Sequence, residues 1–128
     1  MAQSVAKWVK DDETAWCSSF MNFITQQLDL ERSNSLSARS WLNVGIPISA
    51  SDSLPGDVCI LWRSSPTSWK GHVGIYVSED ANYVYLLGGN QSNQVKISPY
   101  PKARVLGYRR LSHDKSKEKQ AKVLPTYS

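Results

Sequence analysis

The stretch that decides the fold reads Gly71-His72-Val73-Gly74-Ile75-Tyr76-Val77. It predicts a β-strand over residues 72–77, in which successive side chains point to opposite faces of a sheet. His72, Gly74 and Tyr76 therefore share one face, and the valines and the isoleucine between them share the other. The glycine leaves space beside the imidazole.

A second strand is predicted at residues 83–87, after a connection short enough for a hairpin. If the hairpin turns around Asp80 or Ala81, residue 72 pairs with residue 88 or residue 90. Asn90 would then lie near His72 on the same face of the sheet, and the two glycines before Asn90 leave room there.

Three further strands are predicted, over residues 58–62, 94–98 and 105–109, which makes about five in all. The first of them follows the turn Leu54-Pro55-Gly56-Asp57, and its continuous apolar run predicts that Cys59 is a core residue. Residues 63–71 carry proline, serine and glycine and are expected to form a loop.

Helices are predicted ahead of the strands. Apolar residues recur at three- and four-residue steps from residue 15 to about residue 28, and acidic and capping residues stand directly before them. Cys17 falls in the first turn of this helix, inside its apolar stripe. A short second helix is predicted over residues 37–44, ended by Gly45 and Pro47. Helices followed by strands indicate an α+β domain, with helices packed on one face of an antiparallel sheet.

Length and charge bound the organisation of the chain. Its 128 residues suffice for one domain, predicted over residues 1–111. Residues 112–128 hold four lysines against two acidic residues, and we expect a basic, disordered tail there rather than a nucleic-acid site, although the net charge is +4. Residues 1–10 lack the apolar core of a secretory signal, and no apolar run approaches the ~20 residues of a membrane span. We therefore expect synthesis in the cytoplasm without a signal peptide, and no membrane insertion.

Cys17, His72 and Asn90 form the candidate catalytic set. A cysteine nucleophile reacts as its thiolate, and an imidazole can generate that thiolate and return the proton to the leaving group. An amide oxygen that accepts from the imidazole would fix the tautomer of the ring. The alternatives are a disulfide between Cys17 and Cys59, a thiol that is only buried, and a structural histidine. Because His113 lies in the predicted tail, His72 is the remaining histidine for the base.

Neither a metal nor a cofactor is expected. The cysteines and histidines lack zinc-type pairing at short spacing, and no phosphate-cradling glycine loop is present. Trp16 lies beside the predicted nucleophile, Trp62 at a strand end and Trp69 in the loop before His72. Each is a candidate either for packing or for lining a sugar-peptide cleft. Backbone N–H groups at the helix start, including that of Cys17, are candidate donors to an oxyanion.

Four segments resemble, in their order, the papain-like cell-wall amidases and peptidases of the NlpC and CHAP type, especially those of phage lysins and bacterial toxin effectors. They are Thr14-Ala15-Trp16-Cys17-Ser18-Ser19-Phe20, Leu54-Pro55-Gly56-Asp57-Val58, Gly71-His72-Val73-Gly74-Ile75-Tyr76 and Gly88-Gly89-Asn90-Gln91. The resemblance runs from about residue 11 to residue 110. It implies a papain-like fold with Cys17 as nucleophile, His72 as general base and acid, and Asn90 as the orienting third residue.

The same resemblance implies hydrolysis of an amide bond in peptidoglycan, within the stem peptide or between sugar and peptide, through an acyl-enzyme and without a cofactor. The protein would act at the bacterial cell wall after delivery by lysis or by a secretion apparatus, and a toxin effector would need an immunity protein as partner. Two other functions remain open: a non-catalytic wall-binding module on the same fold, and a deamidase or transglutaminase that acts on a protein.

Overall fold

One α-helix precedes six β-strands in the computed structural model, which describes residues 13–89 and 94–113. The helix is α1 (Glu13–Gln27), and the strands are β1 (Ile46–Ile48), β2 (Val58–Trp62), β3 (Gly71–Glu79), β4 (Tyr83–Gly89), β5 (Val95–Pro101) and β6 (Val105–Arg110). Three 3-10 turns lie between them, at Ala38–Asn43, Ala50–Asp52 and Lys102–Arg104. The predicted α+β class is confirmed, with six strands in place of about five.

All six strands form a single antiparallel sheet in the order β1-β6-β2-β3-β4-β5. The first two predicted strands, β2 and β3, lie at its centre, since β6 pairs with the outer edge of β2 and β4 with that of β3. Residues 63–70 connect β2 to β3 as a loop, as the composition of that segment predicts.

The sheet has two buried faces with separate cores. Cys17 and Met21 of α1 pack with Val58, Ile60 and Val73 on the side that we call the helix face. On the opposite side, the distal face, the buried residues belong to the strands themselves: Cys59, Leu61, Tyr76, Val84, Leu86 and Tyr108. The predicted core position of Cys59 is therefore confirmed, because its side chain is fully buried there.

The buried stripe of α1 differs from the predicted one. Cys17, Met21 and Thr25 follow one another at four-residue steps and are almost fully buried, whereas Phe23 and Leu28 are exposed. Thr25 tolerates burial because its hydroxyl donates to the carbonyl oxygen of Met21 at 2.8 Å. Within the described residues, no helix is both long and apolar enough to cross a membrane.

The predicted second helix is a 3-10 turn, Ala38–Asn43, that packs on the helix face through Ala38 and Trp41. The indole N–H of Trp41 donates to the Ser18 hydroxyl at 2.9 Å, and that hydroxyl donates to the carbonyl oxygen of Ser35 at 2.6 Å. A buried serine in α1 thereby satisfies the polar atom of a fully buried tryptophan, which anchors the turn to the helix.

Strand β1 has no counterpart among the predicted strands. It is three residues long and pairs only with β6, with Pro47 opposite Arg109. An edge strand can hold a proline because one side of its backbone needs no ladder partner, and so few residues give no periodicity to detect.

The β3–β4 hairpin has one of the two predicted registers. Ile75 pairs with Leu87 and Tyr76 with Leu86, which corresponds to residue 72 opposite residue 90. A bulge between Tyr76 and Ser78 shifts the pairing by one residue toward the turn.

The segment predicted to be a tail begins with two residues that contact the fold. The Glu31 N–H donates to the carbonyl oxygen of Ser112 at 2.9 Å, and Leu30 forms a β-bridge with His113. Residues 114–128 lie outside the described part of the chain.

Asp57 ties the predicted turn to the end of β6. Its carboxylate accepts hydrogen bonds from Arg110 Nε and Nη2 at 2.9 and 2.8 Å, and from the Leu54 N–H at 2.8 Å. Gly56, at φ +101°, supplies the backbone conformation that the turn needs before it. Burial by itself raises the pKa of Asp57, but the hydrogen bonds and the charge of Arg110 hold the pKa below its usual value of 3.8.

Replacing Asp57 with asparagine is expected to lower the free energy of unfolding by about 1–2 kcal/mol at neutral pH, because Arg110 would lose a charged partner. Arg110 is 39% exposed, which keeps this loss below that of a fully buried pair. A depressed native pKa contributes stability above pH 4 that is lost as the pH falls through the native value. Measured by urea unfolding between pH 2 and 7, the free energy of unfolding of Asp57→Asn should therefore depend less on pH than that of the wild type. Asp52→Asn is the control. The same pH dependence in Asp57→Asn and in the control would contradict this role of Asp57.

Candidate functional site

Cys17 is the fifth residue of α1 and is fully buried on the helix face. It belongs to the cluster that contains Val73 of β3, so the predicted inward orientation of its side chain is confirmed. The helix begins earlier than predicted, at Glu13 rather than at residue 15. In a regular α-helix the N–H of the fifth residue donates to the carbonyl of the first, so the Cys17 N–H is not among the unpaired groups that an oxyanion would need.

His72 lies on the distal face of the sheet. It pairs with Leu61 of β2, and partners in an antiparallel ladder direct their side chains to the same side. Its ring stacks on Tyr100 of β5, with centroids 4.4 Å apart and planes inclined by 26°. A Cβ atom added to Gly88 would lie 3.9 Å from Nε2 of His72, so the glycine leaves the predicted room beside the imidazole.

The thiol and the imidazole therefore lie on opposite sides of β3. Cys17 packs in the cluster of Val73, whereas His72, the preceding residue, points to the distal face by strand alternation. Two successive glycines of β4 also lie on opposite faces. A Cβ at Gly89 would meet the Phe20 side chain of α1 at 3.0 Å on the helix face, while Gly88 lies next to His72 on the distal face. The helix thus contacts β3 and β4 beside the histidine, but on the other face.

The imidazole of His72 is held in its neutral form. Burial, with a smaller contribution from the positive charge of Arg63, lowers the pKa of His72 from 6.5 to about 4. Its Nε2 atom is buried and has no hydrogen-bond partner among the described residues. A buried ring nitrogen without a partner is uncommon in folded proteins and marks His72 as a residue whose role is not only to fill space.

Asn90, the predicted third residue, lies outside the described residues. The hairpin register corresponds to residue 90 opposite His72, and the described part of β4 ends one residue earlier, at Gly89. Its orienting role therefore stays a prediction.

The three candidate tryptophans have different surroundings. Trp16 is buried, and its indole N–H has no hydrogen-bond partner in the described part of the chain. Trp62 ends β2 and is partly exposed, with the Arg104 guanidinium 5.1 Å from its ring centroid. Trp69 is 63% exposed and carries the Lys70 ammonium 5.9 Å from its ring centroid. Of the three, Trp62 and Trp69 are placed to meet a ligand in solution.

Cys59 is chemically unlike a nucleophile. Burial, and secondarily the negative charge of Glu79, raises the pKa of the Cys59 thiol to about 12. Glu79 accepts hydrogen bonds from Tyr76 Oη at 2.9 Å and from Lys102 Nζ at 2.6 Å, and these two bonds hold its own pKa below the usual value. Cys59 therefore stays protonated at neutral pH, and both cysteines are free thiols rather than a disulfide.

Two contacts of the site were not predicted from the sequence. Tyr100 stacks on His72, yet it lies beyond the predicted end of its strand, because the prolines on either side of it obscure the period of β5. Arg63 acts on the pKa of His72 from the loop, where its sequence position carries no signal of proximity.

Within residues 13–89 and 94–113, no group of three or more His, Cys, Asp and Glu side chains is arranged to hold a metal ion. No protein-family model matches the chain, and no curated protein is similar enough to count as a relative.

The lowered pKa of His72 is expected to make stability depend on pH. A native pKa below the unfolded value means that the unfolded chain binds a proton first, so stability is fully present above pH 6.5 and falls as the pH drops toward 4. The loss over this window amounts to at most about 3 kcal/mol. His72→Phe, which keeps a ring against Tyr100, should remove this dependence in urea unfolding at pH 7.5, 6 and 4.5.

NMR tests independently whether the imidazole of His72 is neutral. The ring protons of His72, assigned by comparison with His113→Gln, should not titrate between pH 5.5 and 8. Titration near pH 6.5 would show that the imidazole is not held neutral by burial.

Proposed function

We propose that this protein is a papain-like cysteine hydrolase of peptidoglycan, with Cys17 as nucleophile and His72 as general base and acid. The observation that carries the proposal is the packing of Cys17 against the strand that holds His72, through the cluster shared with Val73. Few side chains could carry out this chemistry, since the chain holds two cysteines and two histidines.

The position of α1 supports this assignment. Cys17 shares its buried cluster with Val73, near the start of β3, and Phe20, one turn further along α1, lies against Gly89 at the end of β4. The helix that carries Cys17 therefore packs beside the start of β3, the segment that holds His72, although on the opposite face of the strand.

The other histidine is not an alternative base. His113 bridges to Leu30, which lies beyond the C-terminal end of α1. Cys17 is about 15 Å from the last residue of α1, Gln27, at 1.5 Å per residue, and Leu30 follows beyond that end. Cys59 is likewise no alternative nucleophile, because its thiol is protonated and lies on the distal face.

The reaction proceeds in two steps. The Cys17 thiolate attacks the carbonyl carbon of an amide, the C–N bond breaks, and the amine leaves with the proton that the imidazole took from the thiol. Water then attacks the thioester while His72 accepts its proton, and the products are a carboxylate and the restored thiol. No cofactor enters either step.

Contact between the thiol and the imidazole requires a local rearrangement in this proposal. His72 is the second residue of β3, so two ladder pairs, Trp62 with Gly71 and Leu61 with His72, hold it on the distal face. Opening these pairs allows the side chain to turn toward the helix face. An unpaired buried ring nitrogen costs about 1–3 kcal/mol, and a hydrogen bond to the thiol would offset part of the cost of opening. Substrate that binds only the turned state selects it.

A second function is favoured by the same geometry. The burial of Cys17 and the placement of His72 on the other face are both expected of a non-catalytic wall-binding module on this fold. Such a module needs neither a thiolate nor a mobile histidine.

Cys17→Ala is expected to abolish the release of soluble fragments from purified sacculi, because no thiolate remains to form the acyl-enzyme. Cys59→Ala is the matched control and should retain activity, since its thiol is protonated and faces away from the helix. Mass spectrometry of the fragments would identify the new amino and carboxyl ends. Equal activity of wild type and Cys17→Ala would overturn the proposal.

Alkylation distinguishes the hydrolase from the binding module within one molecule. In the hydrolase, iodoacetamide at pH 7.5 should label Cys17 much faster than Cys59, whose pKa of about 12 makes it an internal reference. Peptide mass spectrometry measures both rates. Equally slow labelling of the two thiols, with and without peptidoglycan fragments present, is the result that the binding module predicts.

A further inference from the structure

The end of the β2–β3 hairpin combines aromatic and cationic side chains on one surface. We call Trp62, Trp69, Lys70 and Arg104 the hairpin-end surface. Trp62 pairs with Gly71 at the last step of the β2–β3 ladder, and the Arg63 N–H donates to the Lys70 carbonyl just beyond it, at 3.3 Å. The four side chains therefore surround one end of one hairpin.

Each cation of this surface lies over an indole ring. The Arg104 guanidinium is 5.1 Å from the ring centroid of Trp62, and the Lys70 ammonium is 5.9 Å from that of Trp69. Lys70, Arg104 and Trp69 are exposed, Trp69 by 63%. Indole rings, each with a cation over it, thus lie at the surface.

A single arginine holds the loop that carries Trp69 and Lys70. Arg39, in the 3-10 turn Ala38–Asn43, donates from Nε to the Lys70 carbonyl at 3.1 Å, from Nη1 to the Pro66 carbonyl at 2.9 Å and from Nη2 to the Ser65 carbonyl at 3.2 Å. Three charge-assisted hydrogen bonds from one planar group fix the loop against the core. Ordering an exposed loop in this way is expected of a binding surface, because the entropy cost is met before the ligand arrives.

Among the described residues, no acidic side chain pairs with the cations of this surface. No acidic residue occurs in residues 61–71 or 102–107. Within the described ranges, neither Lys70 nor Arg104 takes part in an ion pair. Lys102, in the same 3-10 turn as Arg104, pairs with Glu79. The surface is therefore complementary to an anion.

We propose that the hairpin-end surface binds peptidoglycan, with the uncharged sugar rings stacked on Trp69 and Trp62 and the carboxylates of the stem peptides paired with Lys70 and Arg104. The proposal rests on the proposed function for its choice of polymer. Sugar rings offer apolar C–H faces that stack on indoles, and acidic stem peptides place carboxylates beside those rings. Arg39 is a positioning residue for this surface, since its guanidinium is occupied by the loop.

Binding is measured by co-sedimentation with purified sacculi in the Cys17→Ala background, so that no polymer is cut during the experiment. Trp69→Ala should weaken binding about tenfold, as exposed aromatic anchors of interfaces do. Tyr83→Ala is the matched control. Tyr83 is an aromatic residue that is 43% exposed, and it lies at the start of β4, away from the hairpin-end surface.

Salt dependence separates charge from stacking. The double variant Lys70→Ala, Arg104→Ala should weaken binding about tenfold at low salt and flatten its dependence on ionic strength. Lys96→Ala, which removes an exposed lysine from β5, should leave both unchanged. Arg39→Lys keeps the charge, but its compact ammonium cannot span the three carbonyls as the planar guanidinium does, so it should weaken binding without flattening the salt dependence.

Two results would overturn the proposal: sacculus binding that is unchanged in Trp69→Ala and in the double variant, or tighter binding of duplex DNA than of sacculi at equal salt. A different result would refute the proposed function alone. Sacculi that bind wild type through this surface but are never cleaved would refute the hydrolase and leave the glycan surface standing.

Discussion

The burial of β3 on both of its faces is the constraint on which the rest of the structure depends. Pairing with β2 and β4 satisfies its backbone, so successive side chains enter two separate cores. Val73 joins the cluster of α1, while Tyr76 joins the cluster of the distal face. A shift of one residue would exchange these two sets, and the bulge after Tyr76 confines the irregularity to the turn end of the hairpin.

That alternation also governs the chemistry of the site. It brings the helix bearing Cys17 against β3, yet it directs His72 into the distal core, where burial lowers its pKa to about 4 and Nε2 finds no partner among the described residues. The protein thus holds a thiol and a neutral imidazole on two sides of one strand. The start of the strand, secured by two ladder pairs, is the place where this separation could be relieved.

Around the same strand start, polar contacts organise the surface. Arg39 fastens the loop before β3 through three backbone carbonyls, and Trp69 and Lys70 are exposed as a result. At the opposite end of the β2–β3 pair, Asp57 and Arg110 join the turn before β2 to the last strand. Charged groups are therefore used at both ends of the central hairpin to hold connections, while the apolar clusters between them hold the sheet.

The sequence by itself determined the α+β class, the helix around Cys17, the central strands and the core position of Cys59, because apolar periodicity and turn residues are local signals. It narrowed the hairpin register to two alternatives, of which the structure has one. It also singled out Cys17 and His72 by type and order. Only the tertiary structure decided which face each side chain takes, since a strand buried on both sides shows no polar alternation that would mark one side as facing the helix. Nor does the sequence carry a local signal for β1, for the stack of Tyr100 on His72 or for the hydrogen bonds of Arg39 to its loop, because each of these joins segments that are distant in sequence.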